Sequence, residues 1–336
     1  MSISDQIKVS VIVVNYNGLP YLDTCLDSLS RQTCAGCEII VVDNGSTDGS
    51  LQQARDKYPG LTYVETGHNL GYAGGVNAGL AVAVGEYISP LNMDTRVEAD
   101  WLEKLLGFME SGPKVGAACP RVLVMESPGV INCDGLNIHI SGLGFCRDLH
   151  STATAAGPPQ KVSGISGCSY IIRRDLFNRM GGAPAYCFMY NDDVVISWLL
   201  ALMGYDIYCL PSSVIYHRYR LSMTPDKFFH LEKNRLYLTI STFKWPTLLL
   251  LSPLLLVIEA MVFAYSIVKG WPYPRSKLGA YQAAFQERKE IARLRRFYGT
   301  LRSVSDWTLL QKLSWNLEWG QLFGIVRFRL RRDGRG

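Results

Sequence analysis

No complete phosphate-gripping glycine fingerprint occurs in the 336 residues, no repeat divides them, and no secretory signal precedes the first apolar run. A dinucleotide fingerprint places Gly-X-Gly-X-X-Gly at the opening of the helix after a strand. Gly71, Gly74 and Gly75 have neither that spacing nor that place, which argues against a Rossmann dehydrogenase. They fit better a helix N-terminus that comes close to phosphates or to a sheet. Nine cysteines are scattered along the chain, and Cys34-Ala35-Gly36-Cys37 has no second pair to complete a metal site. An odd count without a leader reads as reduced, cytosolic thiols. Basic excess is also missing where a nucleic-acid binder would need it. From Lys269 onward there are 15 Lys/Arg against 5 Asp/Glu, a net of +10, so residues 1–268 carry −5 of the overall +5. That asymmetry argues against nucleic acid for the first part and toward an anionic surface for the tail.

What is present is an acidic site built from three strand ends. Val9 to Asn15 is apolar and ends at Asn15-Tyr16-Asn17-Gly18; Ile39 to Val42 ends at Asp43-Asn44-Gly45-Ser46; Glu86 to Leu91 ends at Asn92-Met93-Asp94-Thr95. Helical stretches alternate with these runs: Leu19 to Gln32, a helix capped by Ser46 or Thr47 reaching Tyr58, Ala73 to Val84, and Trp101 to Met109, with a short strand at Leu61 to Val64. Apolar strands alternating with helices predict an α/β fold with a mostly parallel sheet, and such sheets bind ligands beyond their carboxyl ends. Two aspartates there point to a nucleotide diphosphate held partly through a metal.

The motifs then reach a family. Val9 to Gly18, Glu38 to Ser50, Asn69 to Leu80 (Asn-Leu-Gly-Tyr-Ala-Gly-Gly-Val-Asn-Ala-Gly-Leu) and Leu91 to Thr95 follow in order. Gly164-Ile165-Ser166-Gly167-Cys168 through Phe177, and Phe188-Met189-Tyr190-Asn191-Asp192-Asp193-Val194, come after them. Together they resemble family 2 glycosyltransferases of the GT-A fold, the rhamnosyltransferase-like branch in particular, over residues 8 to 240.

The resemblance implies roles residue by residue. A nucleotide-sugar donor leaves as a diphosphate whose charge a divalent cation, Mn or Mg, neutralises. Asp94 stands at the metal position, with neutral Asn92 where the motif's first acid would be, and His217 lies where related enzymes place a histidine near metal or diphosphate. Asp43 would accept from the donor's base, with Asn15, Asn17, Asn69, Asn77 and Asn92 lining the nucleotide pocket. Asp192 and Asp193 open a helix, and the second acid is the implied base that deprotonates the acceptor in one inverting displacement. Val195 departs from the family, which often has another acid there. Arg218, Arg220 and Arg235 are either phosphate partners or solvated surface residues.

The remainder reads as a membrane-associated appendage. Residues 1–240 form the catalytic domain, 241–270 a hydrophobic segment, and 271–336 a basic amphipathic tail. Trp245 to Val268 is long enough to cross a bilayer, which needs roughly 20 apolar residues. Pro246, Pro253 and Glu259 interrupt it, and nucleotide sugars and the basic tail both favour the cytosolic side. A re-entrant or interfacial hairpin bent near Pro253 therefore fits better than one crossing, with a buried soluble helix pair as the alternative. Trp271-Pro272-Tyr273-Pro274 reads as a break and Leu278 to Tyr298 as one basic helix. Trp307, Trp315, Trp319, Phe323, Phe328 and the arginines from Arg327 to Arg335 suit a headgroup layer. The implied partners are a nucleotide-sugar donor, a glycan acceptor, polyprenyl-linked in this reading, and an anionic membrane surface. Two rivals stay open: a polyprenyl-phosphate glycosyltransferase, for which Asp193 is dispensable, and a catalytically inactive nucleotide-sugar-binding scaffold.

Overall fold

The seven residues of the first apolar run, Val9–Asn15, are buried throughout and form β1, an interior strand of the sheet. The computed structural model describes residues 7–218 and 222–321. Arg220, Phe323, Phe328 and the arginines from Arg327 to Arg335 lie outside the described residues. After β1 come α1 (Leu22–Leu29), β2 (Cys37–Asp43), α2 (Ser50–Lys57), β3 (Thr62–Glu65), α3 (Gly71–Leu80) and β4 (Tyr87–Asn92). β1 pairs in parallel with β2 and β4, and β2 with β3. Their carboxyl ends therefore share one edge, where Asn15 stands opposite Asp43 and Val14 opposite Asn92. α3 lies tightly on this sheet because it is built from small residues. A Cβ on Gly79 would fall 2.5 Å from Ile12 Cγ2, and one on Gly75 2.6 Å from Val14 Cγ1.

The second half is mixed. β5 (Thr95–Val97), α4 (Trp101–Glu110), β6 (Val115–Val124), β7 (Ser127–Cys133), β8 (Leu136–Ile138), β9 (Gly144–Cys146), β10 (Gln160–Val162), β11 (Ile171–Arg173), α5 (Arg174–Arg179), α6 (Asp192–Leu202) and β12 (Asp206–His217) follow. The sheet runs β10-β12-β6-β11-β4-β1-β2-β3, with β5 added to β12 and β7 to β6, while β8 and β9 make a separate ribbon. β11 is antiparallel to both its neighbours, so the parallel core is interrupted where the second half joins the first. The α2 cap differs from expectation. Neither Ser46 nor Thr47 caps it; Gly49, at φ 84°, turns the chain and the Ser50 N–H donates to Asp48 Oδ1 at 3.1 Å.

The C-terminal part is helical: α7 (Pro225–Thr242), α8 (Trp245–Lys269), α9 (Pro272–Gln286), α10 (Arg288–Leu301) and α11 (Asp306–Lys312). The hairpin bent near Pro253 is not formed, since α8 is one helix of 25 residues. Pro253 has no N–H for the Leu249 carbonyl, and the Ser252 hydroxyl donates to that carbonyl instead, at 2.8 Å. The reversal comes at Gly270, φ 108°, after which Pro272 opens α9 rather than breaking the chain. The stretch read as one basic helix is two, parted at Glu287. α8 is, among the described residues, the one helix long and apolar enough to cross a membrane by length and composition. Its outer face is bare, with Leu249, Leu250 and Val268 each more than 70% exposed at 73%, 79% and 75%.

Glu259 turns inward from this apolar helix. It accepts from Arg235 at 2.5 Å, Lys277 at 2.6 Å and the Tyr281 hydroxyl at 2.5 Å. Glu232 accepts from the same Arg235, at 2.6 Å, and from Lys277. Arg235, expected on the surface or against phosphate, is instead 2% exposed and Lys277 wholly buried. Two acids and two bases thus fasten α7, α8 and α9 together. Truncating one member leaves an uncompensated buried charge, so Lys277→Met is expected to destabilise the protein by about 3–5 kcal/mol in urea unfolding of the detergent-purified chain.

Candidate functional site

The strand-end cluster is organised by amides. Asn15 Nδ2 donates to Asp43 Oδ1 at 2.9 Å, Ser50 Oγ at 2.9 Å and Ser46 Oγ at 3.1 Å, locking the ends of β1 and β2 together. The other Asp43 oxygen accepts from the Ser46 N–H at 3.1 Å. Asn15 and Asp43 are buried, whereas Asn17 is exposed, at φ 50°, with its Oδ1 accepting from the Thr47 N–H at 2.9 Å. Asn44 is a residue the sequence reading passed over. Its Oδ1 accepts from the Leu70 N–H at 3.0 Å, and its Nδ2 donates to Asn69 Oδ1 at 3.1 Å and to the Gly71 carbonyl at 3.0 Å. Asn69 also accepts from the Gly71 N–H at 2.8 Å. This pair shapes the entry of α3.

Asn77 is placed elsewhere. Its Oδ1 accepts from the Ala183 N–H at 2.8 Å and its Nδ2 donates to the Ala183 carbonyl at 2.9 Å. Both ends of the amide are thus used to clasp α3 to the loop after α5, and it does not line the cavity described below.

At the end of β4, Asp94 meets the end of β12. Asp94 Oδ1 lies 3.4 Å from His217 Nε2, and the Asp94 carbonyl accepts from the Arg218 N–H at 3.1 Å. Asn132 Oδ1 stands 3.1 Å from His217 Nδ1, so that ring nitrogen donates and Nε2 is turned toward the carboxylate. Among the described residues no group of three or more His, Cys, Asp or Glu side chains converges on one point. An anionic oxygen and an imidazole nitrogen remain as the donor pair.

The acid pair stands at the start of α6. Tyr190 and Asn191 both have left-handed backbone, φ 65° and 62°, and Asn234 Nδ2 holds this bend through the carbonyls of Met189 (3.1 Å) and Tyr190 (2.8 Å). Asp193 Oδ1 accepts from the Val194 N–H at 2.8 Å and Oδ2 from the Gly167 N–H at 3.1 Å. Burial pushes both carboxyls above the ordinary carboxylate value, and for Asp192 the Asp193 charge adds to it. Lys227 acts in the opposite sense on Asp193. Val195, the departure from the family pattern, is fully buried in the core and presents nothing to substrate. Asp192, Asp193, Tyr72, Asn92 and Gly167 line one end of a cavity of about 850 Å³. Asn92 N–H donates to the Cys168 carbonyl at 2.9 Å, so the strand end that carries Asp94 adjoins the loop that holds Asp193.

The family model for glycosyl transferase family 2 matches residues 10–181. The chain belongs to this family. It is 28% identical over 245 residues to an N-acetylglucosaminyl-diphospho-decaprenol L-rhamnosyltransferase of Mycobacterium tuberculosis, a match covering 66% of this chain and 79% of that protein. Among solved structures it is similar to the mannosyltransferase PcManGT from Pyrobaculum calidifontis in complex with GDP-Man and Mn2+. There the TM-score is 0.52 at 22% identity, covering 91% of this chain and 84% of that one. It is also similar to GalNAc-T7 with UDP, GalNAc and Mn2+, with a TM-score of 0.60 at 18% identity. That match covers 72% of this chain and 49%, about half, of the GalNAc-T7 chain. These likenesses establish the GT-A fold, and the family makes the protein a glycosyltransferase.

Within this glycosyltransferase, Gly167 has a role that no spacing announced. A Cβ there would sit 2.8 Å from Asp193 Oδ2, so only glycine lets the backbone N–H reach the carboxylate. Asn132 and Lys227 were missed as well, because neither belongs to a local motif. Gly167→Ala is expected to displace the Asp193 carboxylate and lower kcat about 100-fold, with thermal stability nearly retained; steady-state kinetics beside a melting curve would check this.

Proposed function

We propose that this glycosyltransferase inverts the anomeric centre while moving a hexose or deoxyhexose from a nucleotide sugar to a glycan acceptor carried on a polyprenyl phosphate or diphosphate. It would work at the cytoplasmic face of the membrane. The observation that carries the reading is the Asp193 carboxylate, held by the Gly167 N–H in a cavity it shares with Asn92, two residues before Asp94. Asp193 takes the proton of the acceptor hydroxyl as its oxygen attacks the anomeric carbon. The bond to the diphosphate breaks on the opposite face, which is the origin of inversion. Asp192 Oδ2 is buried without a partner among the described residues and lies beside the reacting hydroxyl in this reading.

Asp94 and His217 fit a divalent cation, Mn or Mg, because a carboxylate oxygen and an imidazole nitrogen leave most of the coordination shell to diphosphate and water. When bound, the cation neutralises charge on the departing diphosphate. Asp43, oriented by Asn15, faces the base, with Asn17, Asn69 and Asn92 around the nucleotide. The lipid-linked acceptor is supported by the relative from M. tuberculosis, whose name places its acceptor on decaprenyl diphosphate. It is supported too by the bare apolar face of α8. With its middle fixed to α7 and α9 through Glu259, α8 suits lying in the headgroup boundary more than crossing the bilayer.

Release of nucleotide diphosphate from a panel of UDP-, dTDP- and GDP-sugars, with manganese and a lipid-linked acceptor, tests the reading. One donor is expected to turn over, and Asp94→Ala to abolish it; nucleotide binding without turnover by any donor would favour the inactive scaffold. Asp193→Asn is expected to lower kcat by about 100- to 10,000-fold. Full activity in that variant would support direct transfer to a lipid phosphate, which needs no base. The pH profile follows from the raised carboxyls. The base must be ionised, so activity falls as pH drops through its pKa, and the acid limb of kcat/KM lies above the usual carboxylate value near 4. Asp192→Asn, which mimics the protonated neighbour, is expected to keep most of the neutral-pH rate.

A further inference from the structure

The cavity that ends on the acid pair is larger than a sugar requires, at about 850 Å³. Its walls differ by origin. The catalytic elements contribute Tyr72, Asn92, Asn191 and the two aspartates, whereas α7, α8 and β9 contribute Phe228, Leu231, Met261, Val262 and Phe145. Two cations also line it, and they differ in state. Arg235 is held by Glu232 and Glu259. Lys227, in the first turn of α7, has no carboxylate partner among the described residues; its ammonium lies 4.8 Å from the centre of the Tyr190 ring. Burial disfavours its charged form while Asp193 favours it, and a bound anion would act in the same direction as Asp193.

The apolar wall does not end inside the protein. Val268 lines the cavity and is also 75% exposed, and Trp319 lines it while 48% exposed. Through them the apolar lining reaches the protein surface at the C-terminal end of α8. A soluble glycan gains nothing from such a surface, whereas each methylene of a hydrocarbon chain laid on it leaves water favourably.

We propose that this cavity is a two-part acceptor site in which Lys227 holds the acceptor's phosphate and the Met261–Val262–Val268 side of α8 receives the first isoprenoid units of its chain, entering from the membrane at Val268. The assignment rests on the lipid-linked acceptor reading above. Lys227 then places the sugar end of the acceptor toward Asp193, and α8 measures the chain rather than merely anchoring the enzyme.

The test uses the full chain in detergent and three acceptors with the same sugar diphosphate: one on a long isoprenoid chain, one on a two-unit chain, and one with no lipid. For the wild type, shortening the chain is expected to raise the acceptor KM about tenfold or more. Val262→Trp, which fills the wall, should erase that difference, while Val257→Trp on the outer face keeps it. Lys227→Gln should raise KM for both lipid acceptors about 10- to 100-fold without changing their ratio. Equal KM for long and short chains would overturn the chain site, and an unchanged KM in Lys227→Gln would overturn the phosphate assignment. If Val262→Trp fails to fold, the wild-type chain series alone decides. Use of the lipid-free acceptor with neither lipid form accepted would overturn the lipid-linked reading itself, and the site with it.

Discussion

The two halves of the site are joined where the Tyr72 N–H meets the Phe188 carbonyl at 2.8 Å. Gly71 makes that contact possible. It sits at φ 74°, and a Cβ on it would fall 2.0 Å from the Phe188 oxygen. On one side of this contact lies α3, positioned by Asn44 and Asn69 at the carboxyl ends of the parallel strands. On the other lies the left-handed bend at Tyr190 and Asn191 that aims Asp192 and Asp193. A side chain at position 71 would part the strand-end cluster from the acid pair, whatever happened to either alone. A similar approach recurs at Gly167, where backbone again reaches a functional group without an intervening side chain.

Much of the first half was legible in the sequence because its signals are local. A run such as Val9–Asn15 has one structural solution when every residue is apolar up to the polar end, and the Ala/Gly content of α3 announces close packing. The strand ends then fall on one edge by the parallel pairing, so Asn15, Asp43 and Asn92 are neighbours before any coordinate is known. Asp193 at a helix start was equally local. Asn77 was placed near the nucleotide by the resemblance, and in the fold both ends of its amide meet the Ala183 backbone, a contact no local motif reports. Asn44, Asn132 and Lys227 escaped for the opposite reason. Their partners are 25 to 85 residues away, and no spacing rule reports a contact made by the fold.

The appendage shows the same boundary between local and distant information. Hydropathy found α8, but Pro253 and Glu259 were read as flaws in it. The proline is tolerated because the neighbouring Ser252 takes up the orphaned carbonyl, and the acid is tolerated because two cations from other helices surround it. Neither compensation is visible from α8 alone. Arg235 likewise looked like a surface or phosphate-binding residue until Glu232 and Glu259 were seen to enclose it.

That enclosure has a bearing on how the chain is made. Arg235 and Glu232 leave the ribosome before Glu259, and Lys277 leaves after it. While α8 is new, a single cation therefore faces two acids, and the half-made cluster carries net negative charge in the middle of the most apolar helix. Hydrocarbon is a poor home for that intermediate. Only when α9 folds back past Gly270 and brings Lys277 does the balance close, so the charge that α8 carries inward is neutralised last, by the helix made after it.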